Sequence, residues 1–301
     1  MGREPLSHLH ALARQVLDLP AAERLAWIRA DRWIGSPRAR QALTSLEDLL
    51  TTPARQRMPN LLIVGPTNNG KTMSVEKFRR DHPPTIASDG AHEVMPVLVV
   101  QMPSEPDLQR FYATILREVS APVRPREPLA KVEDFTLRLL QQIGLRMLVI
   151  DEVHTILAGS SAQQRAFLNL CRCLGHTLRI PVVCVGTRDA YLAVRSDEQL
   201  ENRFTPFPVP RWQADVDYAS LLASFEAILP LRQPSYLSQP PLATHILAVS
   251  EGTIGEMTTL LTRAAIVAIS SGYERIDLAL LAKVDYHAPA ERRRLFERTL
   301  A

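Results

Sequence analysis

The chain has 301 residues, of which 46% are hydrophobic, and its 35 Lys and Arg against 32 Asp and Glu give a formal net charge of +3. This length exceeds that of a typical single domain, so we expect one large α/β unit with a smaller domain appended to it. The near-neutral charge excludes a histone-like polycation, but it is compatible with a basic face that contacts nucleic acid.

The cysteines and the apolar runs bear on the cellular compartment. Cys171, Cys173 and Cys184 cannot all pair, and their apolar neighbours favour reduced thiols in a cytosolic protein over a disulfide framework. Cys171 and Cys173 with His176 lack a second Cys or His pair, so we expect no metal site there. No signal peptide is visible, and no apolar run approaches the roughly 20 residues of a membrane span. We therefore expect a soluble, cytoplasmic protein without membrane contact.

The first part of the chain, residues 1–52, has the pattern of an N-terminal helical segment. Apolar residues between Leu6 and Leu50 recur at intervals of three to four, which indicates about three helices. Ser36 followed by Pro37 is typical of a helix start, because serine caps the first turn and proline fits its first position. Pro53 then closes the segment.

The middle of the chain, residues 53–210, alternates short apolar runs with helical patterns. Such runs are typical of strands buried on both faces, and the alternation predicts a mostly parallel sheet covered by helices. We therefore expect a three-layer α/β nucleotide-binding domain. The predicted strands are Leu61 to Val64, Val97 to Gln101, Met147 to Ile150, Pro181 to Val185 and Thr205 to Val209, and the helical stretches include Asp107 to Val119, Leu129 to Ile143 and Ala162 to Leu174.

The first predicted strand runs directly into the octapeptide Gly65-Pro66-Thr67-Asn68-Asn69-Gly70-Lys71-Thr72. The two glycines let backbone N–H groups turn inward around the β- and γ-phosphates of a nucleotide, and Lys71 adds a point positive charge. The hydroxyl of Thr72 can ligate Mg²⁺ at a helix start. A strand before this loop and the helix-compatible stretch Met73 to Arg80 after it are the context that the motif requires, so we predict a nucleotide site.

A second strand delivers two carboxylates, Asp151 and Glu152, to its C-terminal end, where ligands gather in an open α/β sheet. We expect Asp151 to hold the Mg²⁺ shell and Glu152 to polarise a water that attacks the γ-phosphate. The alternative role for this pair is to stabilise a helix N-terminus, where acidic residues are favourable.

Beyond Pro210 the strand patterns stop. Residues 211–288 predict a small all-α domain, interrupted by the proline-rich stretch from Leu229 to Pro241. Residues 289–301 predict a basic helix or tail at the surface, with Arg292, Arg293, Arg294 and Arg298. The helical stretches of the small domain are Val216 to Leu229, Leu242 to Ser250, Gly255 to Ser270 and Leu278 to Val284.

Together these motifs resemble those of AAA+ ATPases, with residues 211–288 as their α-helical lid. The resemblance rests on the phosphate loop, on Asp151-Glu152-Val153-His154, on Val185-Gly186-Thr187 and on Glu201-Asn202-Arg203-Phe204. The overall run of sequence, including Asn60-Leu61-Leu62-Ile63-Val64-Gly65, is similar to the TniB-type ATP-binding regulators of bacterial transposons, which are related to TnsC and the IstB helper ATPases. This resemblance spans nearly the whole chain and implies a bacterial cytoplasmic ATPase with ATP and Mg²⁺ as cofactors.

The resemblance implies catalytic roles for two further residues. Thr187 would be a sensor hydroxyl that contacts the γ-phosphate or the attacking water, the alternative being an ordinary strand-end threonine. Arg203 would be an arginine finger that reaches the γ-phosphate of a neighbouring subunit, so that the active site requires an oligomer, either a ring or a helical filament. The alternative for Arg203 is a surface salt bridge, and Arg188 and Arg195 are competing finger candidates.

Gly255 departs from the pattern of many relatives, which carry a lid arginine at this position as a second sensor of the γ-phosphate. Arg263, two turns further along the helix, could substitute for it or could only solvate the helix face. Since one charge-stabilising group is missing, we expect slow hydrolysis, suited to a timer or a switch.

Contact with DNA is implied by the same resemblance, because related transposition ATPases encircle or track duplex DNA through the segment between the second strand and the acidic strand. Cations in that segment could bind phosphates without sequence specificity, or they could form a solvated face. They are Arg110, Arg117, Arg124, Arg126 and Lys131.

The function implied is that of an ATP-dependent regulator of transposition that oligomerises on double-stranded DNA. It would recruit or activate a separate transposase, with a target-selection protein as a possible further partner. One alternative is a nucleotide-gated adaptor without significant hydrolysis. A second is an ATPase of the same fold that acts as a replication initiator or helicase loader.

Overall fold

The computed structural model describes residues 6–88, 90, 92–124, 126–195 and 201–300. The chain divides into two compact units by its internal contacts. The first unit comprises Met1–Arg40, Asn68–Gly70 and Arg211–Ala301, and the second comprises Gln41–Thr67 and Lys71–Pro210. Residues 1–52, which we treated as one N-terminal segment, therefore divide between the two units at Arg40.

The strands in chain order are β1 Asn60–Val64, β2 Thr85–Ile86, β3 Glu93–Val94, β4 Val97–Gln101, β5 Met147–Asp151, β6 Val182–Gly186 and β7 Phe204–Pro208. The α-helices are α1 Ala11–Val16, α2 Ala21–Arg29, α3 Pro37–Thr51, α4 Lys71–Asp81, α5 Leu108–Glu118, α6 Leu129–Gln142, α7 Ser161–Leu178, α8 Arg188–Arg195, α9 Val216–Ile228, α10 Leu242–Val249, α11 Ile254–Ser270, α12 Leu278–Leu281 and α13 Pro289–Leu300. A 3₁₀ helix, Val153–Ala158, follows β5 directly.

The second unit is built on a five-stranded sheet in the order β4-β5-β6-β1-β7, and every neighbouring pair in it is parallel. In this register Leu62, Cys184 and Ile150 stand side by side on three adjacent strands. The predicted parallel sheet is thereby confirmed. Two-residue strands carry too little pattern to be recognised in a sequence, and the antiparallel pair of β2 with β3 was accordingly not predicted.

Helices cover both faces of this sheet because its strands are apolar on both sides. Successive residues of a strand point to opposite faces, and in β5 Leu148 and Ile150 join one core cluster while Met147 and Val149 join another. The first cluster contains side chains of α5, α6, α7 and α8, and the second contains those of α3 and α4. This is the expected three-layer α/β arrangement.

Side-chain caps explain where several of these helices begin. Asp107 accepts a hydrogen bond from the backbone N–H of Arg110 at the start of α5, at 2.7 Å. Ser160 and Gln163 form a reciprocal capping box at the start of α7, which satisfies two backbone N–H groups that the helix itself leaves without partners. The cap at Ser160 therefore sets the start of α7, and the 3₁₀ helix occupies most of the segment between β5 and that cap.

The first unit is a helical domain in which α2 packs against helices from the C-terminal part of the chain. Ile28 of α2 lies in the same core as Trp212, Leu221 and Leu261. No helix among the described residues is long and apolar enough to cross a membrane.

A buried ion pair ties α2 to the loop after α11. Arg24 is only 4% exposed, and its guanidinium donates to both carboxylate oxygens of Glu274, at 2.8 and 2.5 Å, and to the carbonyl of Pro230 at 2.6 Å. Burial opposes ionisation of Glu274, but hydrogen bonds from the Arg24 side chain and the Arg232 backbone outweigh it and hold the pKa of Glu274 below its ordinary value. Helix α2 is thus an integral part of this unit.

The substitution Arg24→Ala should destabilise the first unit by about 3–5 kcal/mol, because it leaves the Glu274 carboxylate buried without its cation. Arg138→Ala is the matched control, since it removes an exposed pair with Asp134 and should cost no more than about 1 kcal/mol. Urea unfolding monitored by circular dichroism measures both. Equal stability of the two variants would contradict this assignment.

The same pair predicts a dependence on acid. Since the folded pKa of Glu274 lies below its ordinary value of 4.5, its stabilisation is present above that value and is lost as pH falls through the folded pKa. We expect the difference in unfolding free energy between the wild type and Arg24→Ala to shrink in this range when measured from pH 7 downwards.

Candidate nucleotide-binding site

The octapeptide from Gly65 to Thr72 forms the loop between β1 and α4. A Cβ on Gly65 would lie 2.2 Å from the carbonyl oxygen of Val209, so only glycine fits where the chain leaves the strand. Asn68 and Gly70 have positive φ angles of 57° and 84°. The loop thus turns tightly through residues in the left-handed conformation. Such turns direct successive backbone N–H groups into one concavity, where an anion can bind.

Lys71 begins α4 and is buried, with 7% of its surface exposed. Its ammonium donates to the carbonyl oxygens of Gly65 and Pro66, at 3.0 and 2.6 Å. Burial lowers the pKa of Lys71, and the nearby carboxylates of Asp151 and Glu152 offset part of that effect. The structure therefore places the cation of the loop within electrostatic reach of both acidic residues.

The central contact of the site joins the two sequence motifs. The Thr72 hydroxyl donates to Oδ2 of Asp151 at 2.7 Å, and the backbone N–H of Glu152 donates to Oδ1 at 2.7 Å. Asp151 is 6% exposed, so these hydrogen bonds hold a buried carboxylate in one orientation. A hydroxyl and a carboxylate oxygen side by side are the donors that Mg²⁺ takes beside a nucleotide phosphate.

The residues at this position fit a magnesium ion that is shared with a nucleotide. Mg²⁺ commonly takes one or two protein ligands and completes its shell with phosphate oxygens and water. Within the described parts of the chain, no group of three or more His, Cys, Asp and Glu side chains is arranged to hold a metal ion. Thr72 and Asp151 are therefore the candidate protein ligands.

Thr187 follows β6, which lies between β5 and β1 in the sheet. The sheet order therefore brings Thr187 to the edge at which Asp151 and the phosphate loop also lie. Its Oγ1 is buried and makes no hydrogen bond within the described structure. A buried hydroxyl without a partner is unusual and is available to a bound group.

Glu152 also lies at this edge, in a left-handed backbone conformation with φ 58° and ψ 32°. Its Oε2 lies 3.3 Å from Nε2 of His154. We assigned no role to His154 from the sequence. The position of His154, two residues after Glu152 and just beyond a buried strand, was the sequence signal that could have indicated a role for it.

Arg203 lies at the N-terminal ends of the strands, opposite to the C-terminal ends where the phosphate loop lies. It immediately precedes β7, and its carbonyl accepts from the N–H of Asn60 at the start of β1. A strand of five residues is roughly 15 Å long. Arg203 is therefore distant from the phosphate loop of its own subunit. Of the competing candidates, Arg188 lies at the phosphate-loop edge beside Thr187, and Arg195 pairs with Glu201 at 3.2 Å.

The predicted lid residues lie in the first unit, which also contains Asn68–Gly70. The backbone N–H of Gly255 donates to the carbonyl of Asn68 at 3.0 Å, and a Cβ on Gly255 would lie 1.8 Å from Oδ1 of Asn68. A side chain at position 255 would therefore require Asn68 to move. Arg263 donates to the carbonyl of Asp285, so within this structure it is held by the lid itself.

The five cations predicted to bind DNA are all exposed. Two belong to α5, two to the loop that follows it and one to the first turn of α6. The loop that joins the two helices runs back along α5, since the side chain of Gln109 donates to the carbonyl of Glu127 at 3.0 Å. Arg124 and Lys131 line one cavity of about 380 Å³, which also contains Phe135 and Arg138. Arg110 lies 3.9 Å from Glu105, and Arg117 and Arg126 do not line the cavity.

The three cysteines are free. Cys171 and Cys184 are buried, but Cys173 is exposed, so its surroundings are not apolar as expected from the sequence. Residues 171 and 173 are two apart on α7, and a helix turns by about 200° over that interval, which directs them to different faces.

The fold and the joined motifs define the AAA+ class of P-loop ATPases, and solved structures support this. The ORC2 protein of Aeropyrum pernix, in ADPNP and ADP complexes, is similar with a TM-score of 0.59 and 16% identity over 85% of this chain and 69% of that one. The ORC1 protein of the same organism, in complex with DNA, has a TM-score of 0.57 and 17% identity over 86% and 68%. The RuvB Holliday junction branch migration motor of Thermotoga maritima has a TM-score of 0.50 and 16% identity over 85% and 72%.

The chain belongs to the TniB family. The family model described as "Bacterial TniB protein" matches residues 24–214, which is more than half of the chain and includes the phosphate loop, the acidic strand and Arg203. A comparison with curated protein sequences gave no significant match. The family confirms the resemblance inferred from the sequence, and the structural neighbours confirm the fold.

The substitution Thr72→Ala should weaken Mg²⁺-dependent ATP binding by roughly tenfold, which corresponds to the loss of one metal ligand and one hydrogen bond to Asp151. Thr72→Ser keeps the hydroxyl and should bind as the wild type does. Titration of a fluorescent ATP analogue measures this with Mg²⁺ and with EDTA. A loss that is equally large in EDTA would mean that Thr72 does not act through the metal.

Proposed function

We propose that this protein is an ATP-dependent regulator of DNA transposition that oligomerises on duplex DNA and recruits or activates a separate transposase. The observation that carries the proposal is the contact between Thr72 and Asp151, which joins a phosphate loop to an acidic strand in a member of the TniB family. A target-selection protein is a further candidate partner.

In this proposal the loop from Gly65 to Thr72 binds the phosphates of ATP, and Thr72 with Asp151 holds the Mg²⁺. The ion draws charge from the phosphate oxygens when it is bound. Glu152 polarises the attacking water. The Thr187 hydroxyl, which is buried and finds no hydrogen-bond partner among the described residues, donates to the γ-phosphate or to that water. The proposed reaction is thus hydrolysis of ATP to ADP and phosphate.

Arg203 acts on the nucleotide of the neighbouring subunit. Its position at the sheet edge opposite to its own phosphate loop supports action between subunits over action within one. A guanidinium placed there would stabilise the charge that spreads over the transferring phosphoryl group. Hydrolysis then depends on assembly, and a turnover below about 1 per second is expected because Gly255 stands where many relatives carry the lid arginine that adds a second cation.

DNA is held through its phosphates by cations of the α5–α6 segment, Arg110, Arg117, Arg124, Arg126 and Lys131. Their exposure supports this, and so does the placement of Arg124 and Lys131 around one cavity. Contacts of this kind carry no base code, so binding is independent of sequence.

Two inactive variants should restore each other if Arg203 acts between subunits. Glu152→Gln lacks the group that polarises water and should lose at least about 100-fold in turnover, and Arg203→Ala should lose about 1,000-fold. In an equimolar mixture, about a quarter of the interfaces combine an intact Glu152 with an intact Arg203 of the neighbour and should hydrolyse ATP.

Phosphate release measured with and without duplex DNA tests this. Arg195→Ala, which removes a cation already paired with Glu201, is the control and should keep its turnover. No recovery in the mixture would place Arg203 outside the neighbour's site. No turnover of the wild type in any condition would instead support a nucleotide-gated adaptor.

The double substitution Arg124→Ala with Arg126→Ala should weaken DNA binding equally on unrelated sequences. It should also reduce the slope of log affinity against log salt by about 1.8, because each lost phosphate contact contributes about 0.9. Fluorescence anisotropy at several salt concentrations measures both effects. Arg79→Ala with Arg80→Ala removes the same charge from the end of α4 and should leave the slope unchanged; equal effects of the two double variants would reject these positions.

A further inference from the structure

The side chain of Glu152 has one contact that the mechanism above does not use. His154 lies in the first turn of the 3₁₀ helix, and its Nε2 lies 3.3 Å from Oε2 of Glu152. The two side chains are 25% and 37% exposed, so solvent screens the contact only in part.

The other nitrogen of the ring, Nδ1, is buried and makes no hydrogen bond within the described structure. A ring that donates from Nε2 to a carboxylate keeps a lone pair on Nδ1, and burying that lone pair without a donor is unfavourable. The end of β6 approaches the ring closely, since a Cβ on Gly186 would lie 3.7 Å from Nδ1. The histidine is therefore held here at a cost to stability, which points to a functional reason for its place.

The backbone of Glu152 adds to this observation. A left-handed conformation is unfavourable for a residue with a Cβ, and it fixes the direction in which the side chain leaves the strand end. Three rotatable bonds then separate the backbone from the carboxylate. Without a second contact the carboxylate would sample several rotamers, and the contact with His154 selects among them.

We propose that His154 is a positioning residue, whose Nε2–H holds the Glu152 carboxylate in the orientation from which it polarises the attacking water. This inference rests on the proposed role of Glu152. A general base that is fixed before the reaction loses no rotamer freedom in the transition state, so the contact acts on the chemical step and not on nucleotide binding.

The test compares three substitutions at this position by steady-state ATP turnover with duplex DNA. His154→Ala should lower kcat roughly tenfold or more and leave the KM for ATP within about twofold. His154→Gln retains an N–H near the position of Nε2 and should recover most of the loss, whereas His154→Phe retains the ring shape alone and should behave as alanine does. The matched control is His82→Ala, because His82 pairs with Glu47 at 3.1 Å elsewhere in the same unit and should leave kcat unchanged.

An unchanged or increased kcat in His154→Ala would overturn the proposal, and so would an equal loss in His154→Gln. Thermal melting and binding of a fluorescent ATP analogue establish that each variant is folded and binds nucleotide.

A spectrum that does not depend on turnover separates this proposal from the proposed function. The ring N–H signal of His154 should be visible in ¹H–¹⁵N spectra of the wild type, because a hydrogen bond to Glu152 slows its exchange with water, and it should weaken in Glu152→Ala, even if the wild type hydrolyses no ATP. An equally strong ring N–H signal in Glu152→Ala would reject the contact itself.

Discussion

The site depends on one buried carboxylate, that of Asp151. A carboxylate that is 6% exposed requires hydrogen bonds in compensation, and two N–H or O–H donors from different parts of the chain supply them. One donor is the Thr72 hydroxyl in the first turn of α4, so the contact joins the start of that helix to the end of β5. Lys71, the residue before Thr72, is thereby held at the same end of the sheet.

Much of this arrangement was predictable from the sequence, because the signals are local. The strands of the parallel sheet are short apolar runs with clear ends, and β4 begins and ends where its pattern predicts. The phosphate loop and the acidic pair each occupy consecutive positions. The parallel sheet then brings them together, since the carboxyl ends of its strands meet at one edge.

The features that were not predicted depend on contacts between distant parts of the chain. No local pattern predicts that Arg24 is buried, and its pairing with Glu274, 250 positions away, explains the burial. Residue patterns alone do not give the strand order, which places β6 between the two motifs. The helix α8 is only eight residues long, and it follows β6 too closely to stand out as a separate pattern.

Each subunit has two different ends, because Arg203 lies at one end of the strands and the Thr72–Asp151 pair lies at the other. Under the proposed role of Arg203, copies can associate only head to tail, and a closed ring completes every site while an open row leaves one incomplete at its end. That terminal subunit would keep its ATP. The end of a growing row would therefore differ chemically from its interior, which would let a partner recognise a tip instead of a DNA sequence.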